Sequence, residues 1–519
     1  MKRAEQTALL KQEKDFLWDI TVIGGGATGL GIAVDAATRG YKTILLEKSD
    51  FAKGTSSRST KLVHGGVRYL AQGDVLLVTE ALRERGRMLK NAPHLTGNQE
   101  FIIPAYSWWD VILYTAGLKF YDLLSGRLSL GKSYFINPAK TLKRLPLLNP
   151  EGLKGGIVYH DGQFDDSRMA VEMARHCTVN GAGVINYFEV RELLKDESGR
   201  ITGVRGMDTV TGGIYSIRSR LVINATGVFT DEIHRMDDPE ARPTVRPSQG
   251  VHIVLDRSFL PEDSAIMIPR TDDGRVLFAI PWYDRVVAGT TDTPLDIVTN
   301  EPKALDEEID FILRTAGKYL VKKPRRSDVL CIFAGLRPLA ADPDNPASTK
   351  EVSRRHKITL SSSGLLSITG GKWTSYRRMA EETINRGIRA GILEKRKCVT
   401  RNYSFCPSGV KLRSERLKIY GSRADVIERM IEENPDLGEL LDPRLPYTRA
   451  EIVWICHNEM PVNLEDVMAR RTRSLILDAR ASSDIAPEVA AIMARELKHG
   501  DDWVQNQIKE YNKLLINYL

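Results

Sequence analysis

The chain opens on a pattern of apolar runs broken by glycine. Trp18 to Ile23 (WDITVI) is apolar and β-branched, the signature of a buried strand. Gly24 to Gly31 is glycine-rich. Ile32 to Arg39 (IAVDAATR) has helical spacing, with Gly40 just past its end. Lys42 to Glu47 (KTILLE) is a second buried strand. Strand, turn, helix and strand in this order begin a doubly wound α/β fold.

The same kind of pattern returns later. Leu221 to Gly227 (LVINATG) is an apolar strand ending in glycine. Leu365 to Ile388 reads as a strand, a Gly-Gly turn and a long helix. Between these lie short β-rich runs split by turn residues, such as GVHIVLD and RVLFAIPWYDRVVAGTTD. A nucleotide-binding domain is therefore expected in pieces, 16–80, 150–235 and 355–395. A β-rich domain is expected over 81–149 and 236–354. From about Cys406 the pattern turns almost wholly helical, which predicts a third domain over 406–519. The expected class is α/β, α+β overall.

Composition narrows this little. The 519 residues are 42% hydrophobic and 27% charged with a net charge of +7, ordinary for a globular protein with a mild leaning toward anionic ligands. No long basic run or nucleic-acid motif is present, so no nucleic-acid partner is expected. Five scattered cysteines contain no C-x-x-C pair, so neither a metal site nor an iron–sulfur site is expected. The N-terminal stretch is polar and lacks a signal-peptide core. Ser107 to Leu124 (SWWDVILYTAGLKFYDLL) leans apolar, but Asp110, Lys119 and Asp122 interrupt it and argue against a span.

Three motifs carry chemistry. GGGATG holds a G-x-G-x-x-G frame at Gly24, Gly26 and Gly29, between a strand and a helix. The first glycine makes the turn, the second admits a pyrophosphate, and the third lets helix and strand pack closely. Glu47 lies where a carboxylate accepts ribose hydroxyls. LVINATG, with Ala225 and Gly227, has the form of a second FAD contact. TGGKWTSYRRMAE places Gly371, Lys372 and Thr374 where a helix N-terminus would face a flavin.

These segments, with TSSRSTKLVHGGVRYL, FAIPWYDRVVAGTTDTP and FAGLRPL in this order, resemble the FAD-dependent glycerol-3-phosphate dehydrogenases, relatives of D-amino acid oxidase. The resemblance covers roughly residues 18–390 by motif. It implies a Rossmann-like FAD-binding domain, an inserted substrate domain and a C-terminal helical cap. It implies that Thr55, Ser56 and Ser57 contact the cofactor, with Lys61, His64, Gly65 and Gly66 beside the ring. Arg68, Tyr69, His252, Arg337 and Lys372 would hold glycerol 3-phosphate, with a guanidinium gripping the phosphate through two parallel hydrogen bonds. The implied reaction passes hydride from C2 to N5 of FAD and yields dihydroxyacetone phosphate. His252 would act as a base titrating near neutral pH, with Arg337 and Lys372 stabilising the developing alkoxide. Gln249 stands where the family pattern has lysine, which implies one cation fewer near the pocket. Arg58 has no assigned role.

The implied electron acceptor is a membrane quinone. Oxygen, as in the related glycerol-3-phosphate oxidases, is one alternative. Another is an amine or amino-acid oxidase of the same superfamily. A third is a flavin-binding protein without turnover. The expected location is the cytoplasm, peripheral on the cytoplasmic face of the cell membrane, with a homodimer left open. The expected docking groups are Trp108, Trp109 and Lys119, with basic helical faces at Arg470, Arg471 and Arg473.

Overall fold

The structure, a computed structural model, describes residues 1–11, 16–71, 73–271, 274–341, 355–407 and 416–519, without the side chains of Arg68 and Ala71. The chain enters as strand β1 (Leu17–Ile23), helix α1 (Ala27–Thr38) and strand β2 (Thr43–Leu46). It then crosses to a second sheet as β3 (Thr96–Ala105), helix α2 (Trp108–Ser125) and β4 (Gly155–Phe164). It returns through α3 (Asp166–Val179), β5 (Gly183–Ile185) and β6 (Ile214–Asn224). It leaves again as β7 (Val245–Asp256), β8 (Leu277–Trp282), β9 (Arg285–Gly289) and β10 (Val329–Ala340). It comes back last as β11 (Leu365–Thr369) and α4 (Tyr376–Arg389).

The parallel part of the first sheet runs β11-β6-β1-β2-β5. Register explains why distant motifs meet. Ile23 pairs with Leu46 and with Asn224, and Asn224 pairs with Ser367. The loops after β1, β2, β6 and β11 therefore leave one edge together, the carboxyl edge where α/β sheets bind ligands. The second sheet is mostly antiparallel and holds β7 between β9 and β10, with His252 opposite Gly289 and Phe333. His252 and Val254 of β7 face the first domain. Gln249, Val251 and Ile253 face the helix Asp306–Tyr319.

One expected boundary shifts. β4 lies within the segment expected in the nucleotide-binding domain, yet it pairs with β3 in the second sheet. Its inward positions pack there, not against β1. The C-terminal helices pack on the rest of the chain. Ile452, Ile485 and Met493 share one apolar core with Ile20, Leu30 and Met173. Residues 408–415 lie outside the described set, and with them the first five residues of a helix expected over 411–421.

Buried charge joins these parts. Asp166, the first residue of α3, is fully buried. One oxygen accepts from Ser59 N at 3.1 Å, Ser59 Oγ at 2.7 Å and Lys61 Nζ at 2.7 Å. The other accepts from Ser167 N and Arg473 Nη2, both at 2.9 Å. Burial alone would raise its carboxyl, but Lys61 and Arg473 hold it below the ordinary value. Arg470 and Arg471 converge in the same way on buried Asp50. Arg470, Arg471 and Arg473 are thus fully buried, not on solvated faces. Each is closed in by carboxylates from other elements.

Removing one partner of a buried pair leaves an uncompensated charge, at a cost of about 3–5 kcal/mol. Asp166→Ala is expected to destabilise the protein by about that much, and Asp166→Asn by less. Urea unfolding measures it. A change under about 1 kcal/mol for Asp166→Ala would contradict the bracing role.

Candidate functional site

Three connected compartments run from the carboxyl edge of the first sheet to the face of the second. The first is floored by the loops after β1 and β2. Gly24 has φ +106°, and a Cβ there would lie 2.7 Å from Ala225 O. Only glycine fits a turn pressed against the neighbouring strand. Gly26 lines the cavity beside Ser56, whose hydroxyl accepts from Ala27 N at 2.9 Å. Gly29 does not face the cavity. Its hypothetical Cβ would lie 1.9 Å from Gly24 O, so it serves close helix–strand packing. Glu47 lines the cavity and accepts from Gly25 N at 2.6 Å and Ser49 N at 2.8 Å. A carboxylate has about four acceptor positions, so two remain for hydroxyl donors. Burial raises this carboxyl above its ordinary value.

Ala225, Gly227, Gly371, Lys372 and Thr55 line the same compartment. After Gly371 the chain makes a short 3₁₀ turn, Trp373–Ser375, before α4. Trp373 Nε1 donates to Ser56 O at 2.9 Å and so ties this turn to the glycine-rich side. A glycine-walled groove at a helix N-terminus, with an acceptor carboxylate at one end, fits the pyrophosphate and ribose of a dinucleotide. These residues fit FAD. Gly24 and Gly26 would take its pyrophosphate, Glu47 its ribose, and the Gly370–Lys372 turn the ring end.

The second and third compartments share Thr60, His64, Tyr69 and Arg337. Arg337 is held flat by four hydrogen bonds. Nη1 donates to Gln249 O and Asp292 Oδ1, both at 3.1 Å, and Nη2 to Thr290 Oγ1 and Thr291 O, both at 2.9 Å. Four of its five N–H groups are thus used by the protein. It presents a fixed positive charge, not the two-bond grip expected of it. Lys372 Nζ lies 3.8 Å over the Tyr69 ring and faces both the first and second compartments. His64 and Thr374 line the second compartment, where Thr374 Oγ1 donates to His64 O at 3.4 Å. Arg68 lies on the short helix Val67–Ala71, and its side chain is outside the described residues.

His252 is 2% exposed, stacks on Phe333 at 4.9 Å, and has Nε2 2.9 Å from Thr60 Oγ1. Burial, then Lys61 and Arg337, hold its pKa well below 6.5. The imidazole is neutral at pH 7, so the expected titration near neutrality does not hold for the protein alone.

Four further expectations change. Lys61 is fully buried on Asp166 and Ser57 O and does not reach the cavity. Ser57 is buried with it, its carbonyl also accepting from Arg473 at 3.1 Å. Gly65 is required by Tyr121: its N–H donates to Tyr121 Oη at 2.8 Å, and a Cβ would lie 2.4 Å from that oxygen. Only Gly66 of the pair, with φ +81°, lines the cavity. Gln249 donates to Glu308 at 2.7 Å on the far face of β7 from His252, so a lysine there would not add a cation to this cavity. Arg58 now has a role, pairing with Glu301 at 2.7 Å.

Thr60, Asp292 and Arg275 line the cavity without having been singled out from the sequence. The T-T-D run at 290–292 carried a signal for Asp292 in its clustered polar residues. Nothing marked Thr60 among five neighbouring hydroxyls.

Fold and groove together define an FAD-dependent oxidoreductase. The pattern of the family described as "FAD dependent oxidoreductase" matches residues 19–377, and that of the "C-terminal domain of alpha-glycerophosphate oxidase" matches residues 366–504. The chain belongs to the FAD-dependent glycerol-3-phosphate dehydrogenases. It is 42% identical to a probable mitochondrial glycerol-3-phosphate dehydrogenase of Caenorhabditis elegans, over 92% of this chain and 70% of that one. It is 40% identical to the mitochondrial glycerol-3-phosphate dehydrogenase of Bos taurus, over 99% and 75%. The structure of the glycerol-3-phosphate dehydrogenase from Bacillus halodurans complexed with FAD superposes with a TM-score of 0.80 at 29% identity, covering 99% of this chain and 98% of that one.

Gly24→Ala is expected to give protein purified largely without flavin, because the added methyl must displace the Ala225 backbone. The ratio of flavin to protein absorbance reads it, and full flavin content would contradict the turn's role.

Proposed function

We propose that this enzyme oxidises sn-glycerol 3-phosphate to dihydroxyacetone phosphate and passes the electrons to a membrane quinone. The observation that carries the reading is the meeting of Arg337, Lys372 and a neutral His252 in the compartment that adjoins the groove that fits FAD. A phosphate dianion is drawn to the two cations, and the cavity orients C2 toward the ring end of the groove. Bound FAD supplies the two-electron acceptor for the hydride leaving C2. Arg337 and Lys372 stabilise negative charge growing on the C2 oxygen, while His252 supplies the acceptor for the departing proton. Burial, then Lys61 and Arg337, hold His252 neutral; the incoming dianion offsets the two cations and so raises its basicity when substrate is present.

A carboxylate-binding amine oxidase site needs one arginine, and the added Lys372 favours a phosphorylated substrate. Oxygen as acceptor is the second reading, supported by the match of residues 366–504 to an oxidase domain. With glycerol 3-phosphate and a short-chain quinone, one dihydroxyacetone phosphate is expected per quinol formed. Arg337→Met is expected to raise KM about 10–100-fold, the equivalent of one charge-assisted interaction. Turnover in air without quinone, at the same rate as with it, would refute the quinone assignment.

The quinone reading needs membrane contact, and among the described residues no helix is long and apolar enough to cross a membrane. Helix α2 supports peripheral docking. Val111, Leu118 and Tyr121 face inward, while Trp109 and Leu123 are 70% and 74% exposed, with Trp108, Ile112 and Phe120 beside them. Tryptophan and aliphatic groups on one helical face suit an interfacial site. Wild-type protein is expected to pellet with anionic vesicles at low salt, and a Trp108→Ser/Trp109→Ser variant to remain in the supernatant. Equal pelleting of the two would rule out this helix as the docking face.

A further inference from the structure

We infer that the Thr60 hydroxyl carries the proton from the C2 hydroxyl of the substrate to His252 Nε2, so that His252 acts through Thr60. The inference rests on the functional reading above and concerns how the proton leaves.

Geometry supports it. His252 is enclosed on nearly every side. Phe333 covers one ring face at 4.9 Å. Gly289 lies against the ring edge, where a Cβ would come within 2.5 Å of Cδ2. Nδ1 is buried and has no hydrogen-bond partner among the described residues. With 2% of its surface exposed, the imidazole offers almost no area to a ligand. Nε2 meets one group, the Thr60 hydroxyl at 2.9 Å. Thr60 is part-exposed and lines both substrate compartments, alongside Tyr69 and Arg337. A hydroxyl in this position can receive one proton while giving another.

The position of Thr60 follows from its neighbours. Ser59 is held from below by two bonds to Asp166, and Lys61 by a third. Lys61 turns through a left-handed backbone, φ +63°, which lets it and Ser59 both reach Asp166. With its neighbours tied down to Asp166, Thr60 is turned up toward β7. The backbone leaves it little freedom to withdraw.

The step balances. The O–H bond at C2 breaks as C2–O becomes a carbonyl, and the C2–H electron pair leaves with the hydride to the acceptor that the dehydrogenase activity supplies. The substrate proton bonds to Thr60 Oγ1 as the proton already there passes to His252 Nε2. Thr60 ends neutral and His252 ends as imidazolium, beside the phosphate that balances it. The direction requires the resting tautomer with its proton on Nδ1 and a bare Nε2 accepting from Thr60.

Two measurements test this on the FAD-loaded protein, comparing wild type, Thr60→Val and Thr60→Ser at matched flavin content. Ring-¹⁵N NMR of histidine-labelled protein, without substrate, is expected to show His252 with a bare, hydrogen-bonded Nε2 whose resonance moves in Thr60→Val. A protonated Nε2 would overturn the relay whatever the substrate is. Anaerobic rapid mixing with glycerol 3-phosphate is expected to show Thr60→Val slowed about 10²-fold at saturation, the lower range for loss of a proton-transfer group. Its substrate Kd should hold within about 3-fold, Thr60→Ser should stay near wild type, and adding His252→Gln to Thr60→Val should cost little more. Equal loss in Thr60→Val and Thr60→Ser, or no loss in Thr60→Val, refutes the relay alone. A wild type that glycerol 3-phosphate does not reduce refutes the functional reading and the relay with it.

Discussion

The arrangement of this enzyme depends on a buried carboxylate at the start of one helix. Asp166 receives five hydrogen bonds from three parts of the chain: Ser59 and Lys61 of the loop after β2, its own helix, and Arg473 of the C-terminal region. In a low-dielectric interior such a cluster is stable only when complete. Completing it holds the segment from Thr55 to Gly66 against the protein from beneath. The upper side of that segment then forms cavity wall, with Thr55 and Ser56 toward the groove that fits FAD and Thr60 and His64 toward the second compartment. A second contact, Gly65 N–H to Tyr121, ties the same segment to the helix whose outer face is apolar and exposed. The surface proposed for membrane docking is one hydrogen bond from the cavity wall.

Cations divide accordingly. Lys61, Arg58, Arg470, Arg471 and Arg473 are consumed in bracing, each against a carboxylate. Arg337, itself paired with Asp292 at 3.1 Å, and Lys372, over the Tyr69 ring, line the cavity. Such pre-orientation suits charge that grows during a reaction, because no dipole has to turn as it develops. His252 is neutral for a different set of reasons: burial first, then Lys61 and Arg337, exclude a further positive charge.

Much of the fold was legible because it is local. Strand–glycine–helix units at 18–39 and 365–388, and the strand ending in LVINATG, each carry their own pattern, and parallel register brings their ends together. The glycine roles at Gly24 and Gly29 were readable for the same reason. The fates of the cations were not. Arg473 meets Asp166 at a separation of 307 residues, and Arg471 meets Asp50 at 421. A basic run such as ARRTR looks identical whether solvated or buried, since nothing nearby encodes its partners. Gln249 illustrates a subtler limit: it lies three residues from His252, and strand alternation sends the two to opposite faces. Thr60 was hidden among similar hydroxyls, distinguished only by what lies across the fold.

The most direct measurement is the visible absorbance of the FAD-loaded protein on anaerobic addition of one equivalent of glycerol 3-phosphate. The account predicts prompt bleaching, with no response to glycerol, which lacks the dianion that Arg337 and Lys372 attract. Bleaching by an amino acid, with no response to glycerol 3-phosphate, would contradict it.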